Sequence, residues 1–328
     1  MYIDKEEFEA RSTGKHGYDL SAYDFLTNLN LQLEGLEKKL QDKDVTEEYS
    51  NIFILGLPRS GTTLISQLIF NHLDLACVNN LVARFWDAPL TGTYLSKIVL
   101  NDTKSFTYSS KYAATDSIVS PHEFAYFWRK HFLSSDVTTS YPPERDALID
   151  WKNVQNIILN MNRIMQKGFV FKTLEITGFY IDRFMKLFPK SIFVYIKRDN
   201  EDVAVSIAKA RLDHYNTLDR WWATYPLEYN LLADKNYADQ IAGQIFYLKK
   251  MFDAAVERHW HTNRIIIVEY KDMCADPNKL LGTISGRVKE LFKIELQRVG
   301  EAPLLEFSKP AIADEIRTSL NRSLSEYF

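Results

Sequence analysis

Hydrophobic positions in this chain fall into two alternating patterns. Short, continuous apolar runs have the length of buried strands, and longer stretches between them carry apolar residues every three or four positions, as helices do. The clearest runs are residues 52–55, 169–171, 191–196 and 264–268, with residues 76–79 as a further candidate. The clearest helical stretches are residues 122–128, 144–167, 200–212, 237–261 and 277–292. This alternation predicts an α/β fold of three layers, in which helices cover both faces of a mainly parallel sheet.

The first 49 residues differ from the rest because they contain no strand pattern. We interpret residues 1–49 as a helical N-terminal extension and residues 50–328 as the α/β core of a single domain. Five leucines of the extension repeat at spacings of three and four: Leu26, Leu29, Leu33, Leu36 and Leu40. Docking onto the protein's own core is the favoured explanation of this pattern. A homodimer seam or a partner-binding helix is the alternative.

Composition and charge narrow the possible classes. The chain has 328 residues, of which 46% are hydrophobic and 25% charged, as in ordinary globular proteins. A formal net charge of -3 gives no reason to expect nucleic-acid binding. The two cysteines, Cys77 and Cys274, lack metal-ligand spacing and favour a reducing compartment. Because no secretory core and no membrane span are visible, we expect a cytoplasmic protein.

The stretch Asn51–Leu64, N-I-F-I-L-G-L-P-R-S-G-T-T-L, joins a strand to a helix through a turn bounded by Gly56 and Gly61. Backbone N–H groups in such a turn, together with the positive end of the helix dipole, bind one anion. In the nucleotide-kinase form of this loop a lysine follows the second glycine. Here Thr62 stands in that place, and the fixed cation is Arg59 inside the loop.

The string P-R-S-G-T-T-L resembles the 5′-phosphosulfate loop of sulfotransferases that use 3′-phosphoadenosine 5′-phosphosulfate (PAPS) as donor. The resemblance implies a P-loop-like fold, with PAPS as co-substrate and no metal. It also implies that Arg59 stabilises charge in the reaction. The donor-binding residues of the loop would be Arg59, Ser60, Gly61, Thr62 and Thr63.

Further polar residues follow other predicted strands. Arg198 and Ser206 resemble the 3′-phosphate site of the same family, and a planar guanidinium suits bidentate phosphate binding. Lys172 resembles the lysine that contacts the transferred sulfuryl group, and Tyr270 resembles a landmark near the nucleotide. Ser308 and Lys309 are candidates for closing over the nucleotide. The carboxyl ends of parallel strands share one edge, so we expect these groups to converge there.

The general base is the least defined part of the site. Some family members have a glutamate downstream of the loop arginine, where this chain has Asn79 and Asn80. Others have a histidine after the Lys-Thr pair, where this chain has Leu174 and Glu175. We rank His122 first as the base because its ordinary pKa is about 6.5. Glu123 and Glu175 follow.

Two other functions remain open at this point. One is a P-loop small-molecule kinase that uses ATP and Mg²⁺, against which Thr62 argues. The other is a nucleotide-binding protein without turnover. The acceptor is not identified by the sequence: sugars, lipids and small aromatic molecules all fit a chain with 20 Phe and 18 Tyr.

Overall fold

The computed structural model describes residues 20–101, 103–104, 106, 108, 117–133, 141–173, 176–307 and 309–328. Within these residues, five parallel strands form one sheet with the order β2-β3-β1-β4-β5. The strands are β1 (Ile52–Gly56), β2 (Ala76–Cys77), β3 (Phe169–Lys172), β4 (Ile192–Lys197) and β5 (Ile265–Glu269). The predicted α/β fold with a parallel sheet is confirmed.

The helices lie between and around these strands. In chain order they are α1 (Leu20–Gln32), α2 (Glu34–Leu40), α3 (Thr62–His72), α4 (Pro89–Leu100), α5 (Ala125–His131), α6 (Trp151–Met165), α7 (Ile176–Phe179), α8 (Ile181–Leu187), α9 (Asn200–Tyr215), α10 (Tyr237–His259), α11 (Tyr270–Ala275), α12 (Pro277–Phe292) and α13 (Asp314–Tyr327). Short 3₁₀ turns occupy Val82–Arg84, Pro143–Leu148, Tyr229–Leu231 and Trp260–Thr262.

The sheet separates two hydrophobic layers. On one face, Phe53 of β1 stacks between its cross-strand neighbours Phe171 and Phe193, with ring centroids 5.3 and 5.4 Å apart. The helices α6, α9 and α10 cover this face. On the other face, Ile54 and Val194 pack against α3 and α12. Strands buried on both sides explain why the sequence shows continuous apolar runs.

Strand register places the polar residues at one edge of the sheet. Ile54 of β1 pairs with Lys172 of β3 on one side, and Gly56 pairs with Ile196 of β4 on the other. Lys172 and the residues after Gly56 and Lys197 therefore emerge at the same edge. The order in which the chain adds strands to the sheet also reverses beside β1. Open α/β sheets bind ligands at such a reversal point.

Two predicted helices begin later in the structure than the sequence indicates. Pro121 does not begin a helix; it forms a bridge with Asn79, and the helix α5 starts at Ala125 after Phe124 adopts a left-handed φ of 55°. The stretch predicted as one helix over residues 144–167 is a 3₁₀ turn followed by α6. The Asp150 side chain accepts a hydrogen bond from Asn153 N and so caps α6 at that break.

The N-terminal extension docks on the chain itself. The Asn30 side chain donates to Arg84 O and accepts from Asp87 N, at 2.8 and 2.9 Å. The Glu37 carboxylate accepts from Leu90 N at 2.7 Å and from Thr91 N at 3.0 Å, which caps the first turn of α4. Among the predicted leucines, Leu26 and Leu40 pack against the core. This docking agrees with the favoured explanation of the leucine pattern, and the homodimer stays a prediction.

Gly168 gives a sharp test of the close packing before β3. A Cβ atom there would lie 1.8 Å from the backbone oxygen of Ser50, a group that cannot move without displacing β1. We therefore expect Gly168→Ala to lower the free energy of unfolding by about 3 kcal/mol or more in urea titrations. Gly282→Ala in α12 is the control because nothing lies within 4 Å of its Cβ position. Alanine favours helix there by about 1 kcal/mol. Equal effects of the two substitutions would contradict this view of the packing.

Candidate active site

The turn between β1 and α3 is tightly enclosed. Gly61 has a φ of 105°, and a Cβ atom on it would lie 2.6 Å from the ring of Tyr270. A Cβ atom on Gly56 would lie 2.6 Å from Ser60 Oγ and 2.8 Å from the Ile196 side chain. Both glycines of the motif are therefore required by space, and Gly61 also by conformation. The enclosed turn leads directly into the N-terminus of α3. A turn followed by a helix N-terminus is an anion-binding arrangement.

The hydroxyl groups of the turn have different orientations. Ser60 is fully buried, and its Oγ and backbone N both donate to Leu57 O, at 2.8 and 3.1 Å. Its hydroxyl proton is therefore used in a hydrogen bond within the turn, which stabilises the turn. Thr62 begins α3, and its carbonyl accepts from Ser66 Oγ. Thr63 Oγ1 accepts a hydrogen bond from Lys172, so its own proton remains for a ligand.

The two signatures found separately in the sequence meet in space. Arg59, with a left-handed φ of 69°, turns its side chain toward α9, and its Nε donates to Ser206 Oγ at 2.9 Å. Because Ser206 Oγ accepts from a cation, its hydroxyl proton is available to an anion. Arg198 Nη1 lies 3.4 Å from the backbone oxygen of Arg59, to which it donates.

Tyr270 links these elements. Its ring lies against Gly61 on one side, and the Arg198 guanidinium carbon sits 4.3 Å from the ring centroid. This stacking restricts the orientation of the guanidinium. Asp202, one helical turn beyond Arg198, holds Oδ2 at 3.6 Å from Arg198 Nε. Sequence reasoning missed Asp202, although its place in the first turn of a helix capped by Asp199, just after Arg198, was available as a signal.

Lys172 brings a third element into the site. At the end of β3, its side chain is only 5% exposed, and Nζ donates to Thr63 Oγ1 at 2.6 Å. The same ammonium lies 2.7 Å from Glu123 Oε1. The structure therefore brings together three predicted residues from three separate parts of the chain.

Glu123 reaches this position because residues 121–123 run antiparallel to residues 78–79. Asn79 pairs with Pro121, and His122 N donates to Val78 O at 2.7 Å. Asn79 Oδ1 accepts from Leu81 N and Val82 N, so this buried side chain caps the following 3₁₀ turn. This pairing of residues 121–122 with residues 78–79 brings the carboxylate that follows them to Lys172.

Charge around Glu123 favours its ionised form. Burial raises the pKa of this carboxyl group, but the Lys172 charge and hydrogen bond, with smaller contributions from His122 and Arg129, outweigh burial. The resulting pKa lies below the ordinary value of a glutamate. At neutral pH Glu123 is therefore a carboxylate.

His122 has a defined tautomer. Its Nδ1 accepts a hydrogen bond from Phe124 N at 2.8 Å, so the proton of the neutral ring lies on Nε2. Burial lowers the pKa of His122 to about 4; Glu123 raises it, while Lys172 and Arg84 lower it further. The ring is therefore neutral at physiological pH and offers a donor, rather than an acceptor, at Nε2.

The remaining candidates differ in position. Glu175 and Ser308 lie outside the described residues, and Lys309 is exposed. The preceding segment approaches the site, because Leu305 N donates to Cys274 O and the Phe307 ring lies 5.7 Å from Tyr270. Phe307 is a neighbour of the site that the sequence did not indicate.

Neither a metal-binding cluster nor a membrane-spanning helix occurs in the part of the chain that the structure describes. No group of three or more His, Cys, Asp or Glu residues in that part of the chain is arranged to hold a metal ion. Over the same residues, no helix combines the length and the apolar character needed to cross a bilayer.

Comparison with known proteins identifies the class. The model of the sulfotransferase family matches residues 51–288, which is most of the chain, and the protein therefore belongs to that family. It is a sulfotransferase, as the loop motif predicts, and the family generally uses PAPS. No curated protein matches the chain.

Solved sulfotransferases with distant similarity include two mycobacterial proteins. Sulfotransferase STF9 from Mycobacterium avium is 16% identical with a TM-score of 0.47, over 99% of this chain and 84% of that one. Sulfotransferase STF1 from Mycobacterium tuberculosis H37Rv is 15% identical with a TM-score of 0.46, over 90% and 75%. The sulfotransferase domain from the curacin biosynthetic pathway is 16% identical with a TM-score of 0.43, over 74% and 75%.

The protonation state of His122 can be measured directly. We expect ¹⁵N NMR of the ring to show the Nε2–H tautomer at neutral pH and titration near pH 4. Since an unfolded histidine titrates near 6.5, the folded state binds the proton less tightly. The contribution of His122 to stability is thus complete above about pH 6.5 and is lost as the pH falls toward 4. Titration of His122 near its ordinary pKa would contradict the assignment.

Proposed function

We propose that this enzyme transfers a sulfuryl group from PAPS to a hydroxyl or amine of a small acceptor. The observation that carries the proposal is the contact between the two phosphate signatures, made by Arg59 Nε with Ser206 Oγ and by Arg198 with the Arg59 carbonyl. One ligand with anionic groups on the 3′ and 5′ positions of a single adenosine ribose fits such a joined site. ATP chemistry fits it less well because Thr62 occupies the position of the kinase lysine.

Donor binding would divide between the two signatures. The backbone N–H groups of Ser60–Thr63 and the Thr63 hydroxyl would hold the 5′-phosphate at the N-terminus of α3. Arg198 and the Ser206 hydroxyl would hold the 3′-phosphate, with the guanidinium plane fixed against Tyr270. These assignments use the hydroxyl protons that face away from protein acceptors.

Sulfuryl transfer needs charge stabilisation more than covalent chemistry. As in phosphoryl transfer, the reaction is an in-line displacement through a loose transition state. Arg59 would stabilise the negative charge that develops on the leaving phosphate oxygen. Lys172, held at the loop by Thr63, would contact the sulfuryl oxygens.

We assign the general base to Glu123 in preference to His122. The unprotonated nitrogen of His122 is occupied by Phe124 N–H, whereas the Glu123 carboxylate offers Oε2 beside an ion-paired Oε1. Glu123 is 27% exposed, so an acceptor can reach it. His122 Nε2–H would then orient the acceptor as a hydrogen-bond donor.

Two broader assignments remain proposals. The acceptor is a sugar, a lipid or a small aromatic molecule. A cytoplasmic location is supported by the two free, buried thiols of Cys77 and Cys274.

Nucleotide binding tests the donor assignment. Calorimetry should show tight binding of 3′-phosphoadenosine 5′-phosphate and weaker binding of adenosine 5′-monophosphate. Arg198→Ala should weaken binding of the first nucleotide by about 100-fold and change the second little, because only the first carries a 3′-phosphate. Arg220→Ala is a matched control: Arg220 also stacks on a tyrosine at 4.3 Å, on Tyr215 instead of Tyr270. Preference for ATP with Mg²⁺ over the doubly phosphorylated nucleotide would overturn the proposal.

Rates test the base assignment. Transfer of ³⁵S from labelled PAPS to a mixed pool of small hydroxyl and amine acceptors should fall by about 10²- to 10⁴-fold in Glu123→Gln. His122→Gln should cost far less, because a glutamine amide can still donate to the acceptor. A larger loss of rate in His122→Gln than in Glu123→Gln would instead identify the histidine as the general base.

A further inference from the structure

A single buried ammonium serves two different parts of this site. Lys172 Nζ contacts Thr63 Oγ1 of the donor loop at 2.6 Å and Glu123 Oε1 at 2.7 Å. The first contact ties it to the place where the donor would bind. The second ties it to the carboxylate assigned as the base. An ammonium has three N–H donors, so these contacts use two of them.

The surroundings make this ammonium the main counter-charge of Glu123. Among the groups that act on the carboxylate, Lys172 has the largest attractive effect, followed by His122 and Arg129. His122 is neutral at physiological pH, so its contribution there is small. Arg129 belongs to α5, the helix that follows Glu123, and its side chain is buried.

A donor at the loop would bring a second anion to the same ammonium. The sulfuryl group and the 5′-phosphate are negatively charged, and burial makes interactions at this distance stronger than in water. One positive charge cannot fully neutralise both the carboxylate and the donor. The donor would therefore weaken the attraction between Lys172 and Glu123.

We infer that Glu123 and the sulfuryl end of the donor compete for Lys172, so that the carboxylate is released to act as a base when the donor is in place. This inference rests on the proposed function. Without donor, the lysine holds Glu123 as a counter-ion. With donor bound, the lysine turns to the sulfuryl oxygens, and Glu123 gains affinity for the acceptor proton.

Thermodynamic reciprocity gives the competition a measurable consequence. If the donor weakens the hold of Lys172 on Glu123, then Glu123 must weaken the hold of Lys172 on the donor. Removing the carboxylate charge should consequently tighten donor binding even though it abolishes the base. A merely structural role for Glu123 would leave donor binding unchanged or weaken it.

The test is a double-mutant cycle on PAPS binding, measured by calorimetry without acceptor. Glu123→Gln should bind PAPS about tenfold more tightly than the wild type, within the usual range of coupling between sites. In the Lys172→Met background the same substitution should have no effect on PAPS affinity. Circular dichroism and thermal unfolding of each variant establish that it is folded.

Asp253→Asn is the matched control for a general change of charge. Asp253 also pairs with lysines, Lys197 at 2.8 Å and Lys249 at 2.6 Å, and Lys197 ends the strand next to β1. Its substitution should change PAPS affinity less than about twofold, because these lysines do not contact the donor loop.

The possible results distinguish a failure of the competition for Lys172 from a failure of the proposed function. Failure of the wild type to bind 3′-phosphoadenosine 5′-phosphate would overturn the donor assignment itself. If that nucleotide binds but Glu123→Gln does not tighten PAPS binding, the competition is wrong and the donor site stands. Equal tightening with and without Lys172 would show direct repulsion by Glu123 and would also overturn the inference.

Discussion

The enclosed turn between β1 and α3 is the constraint on which the rest of the site depends. Ser60, Ile196 and Tyr270 leave no room for side chains at Gly56 and Gly61, so the backbone must follow the narrow path that faces the start of α3. The buried Ser60 holds that path from inside by donating twice to Leu57 O. A turn fixed in this way keeps its anion-binding N–H groups in place before any ligand arrives, which is the basis of electrostatic preorganisation.

Parallel strand pairing then brings the other charged groups to the turn. Lys172 lies level with Ile54, and Arg198 follows the strand that pairs with Gly56. These residues belong to different strands, and the sheet places them at one edge with β1 between them. The contacts of Arg59 with Ser206 and of Lys172 with Thr63 connect the side chains at this edge of the sheet into one site.

The sequence predicts those features that local pattern determines. Strand ends followed by Arg59, Lys172 and Arg198 are visible because apolar runs and turn residues lie next to each other in the chain. The position of Glu123 was not visible, because it depends on a bridge between Pro121 and Asn79, two residues far apart in sequence. The helical pattern after Pro121 suggested a helix, and tertiary pairing overrides it for three residues. The tautomer of His122 has the same origin, since it is set by the hydrogen bond that Phe124 N donates to Nδ1 in this non-helical segment.

Each cation of the site lies beside a polar group of the protein. Arg59 donates to a neutral hydroxyl, Arg198 lies 3.6 Å from the Asp202 carboxylate, and Lys172 divides its charge between Thr63 and Glu123. Fully paired ions would be costly to separate, whereas unpaired buried cations would destabilise the fold. Contacts with protein groups let the fold tolerate these charges when no donor is bound. In the proposed mechanism, Lys172 is paired with a group that has chemistry of its own to perform, and this pairing would link the binding of one substrate to the activation of the other.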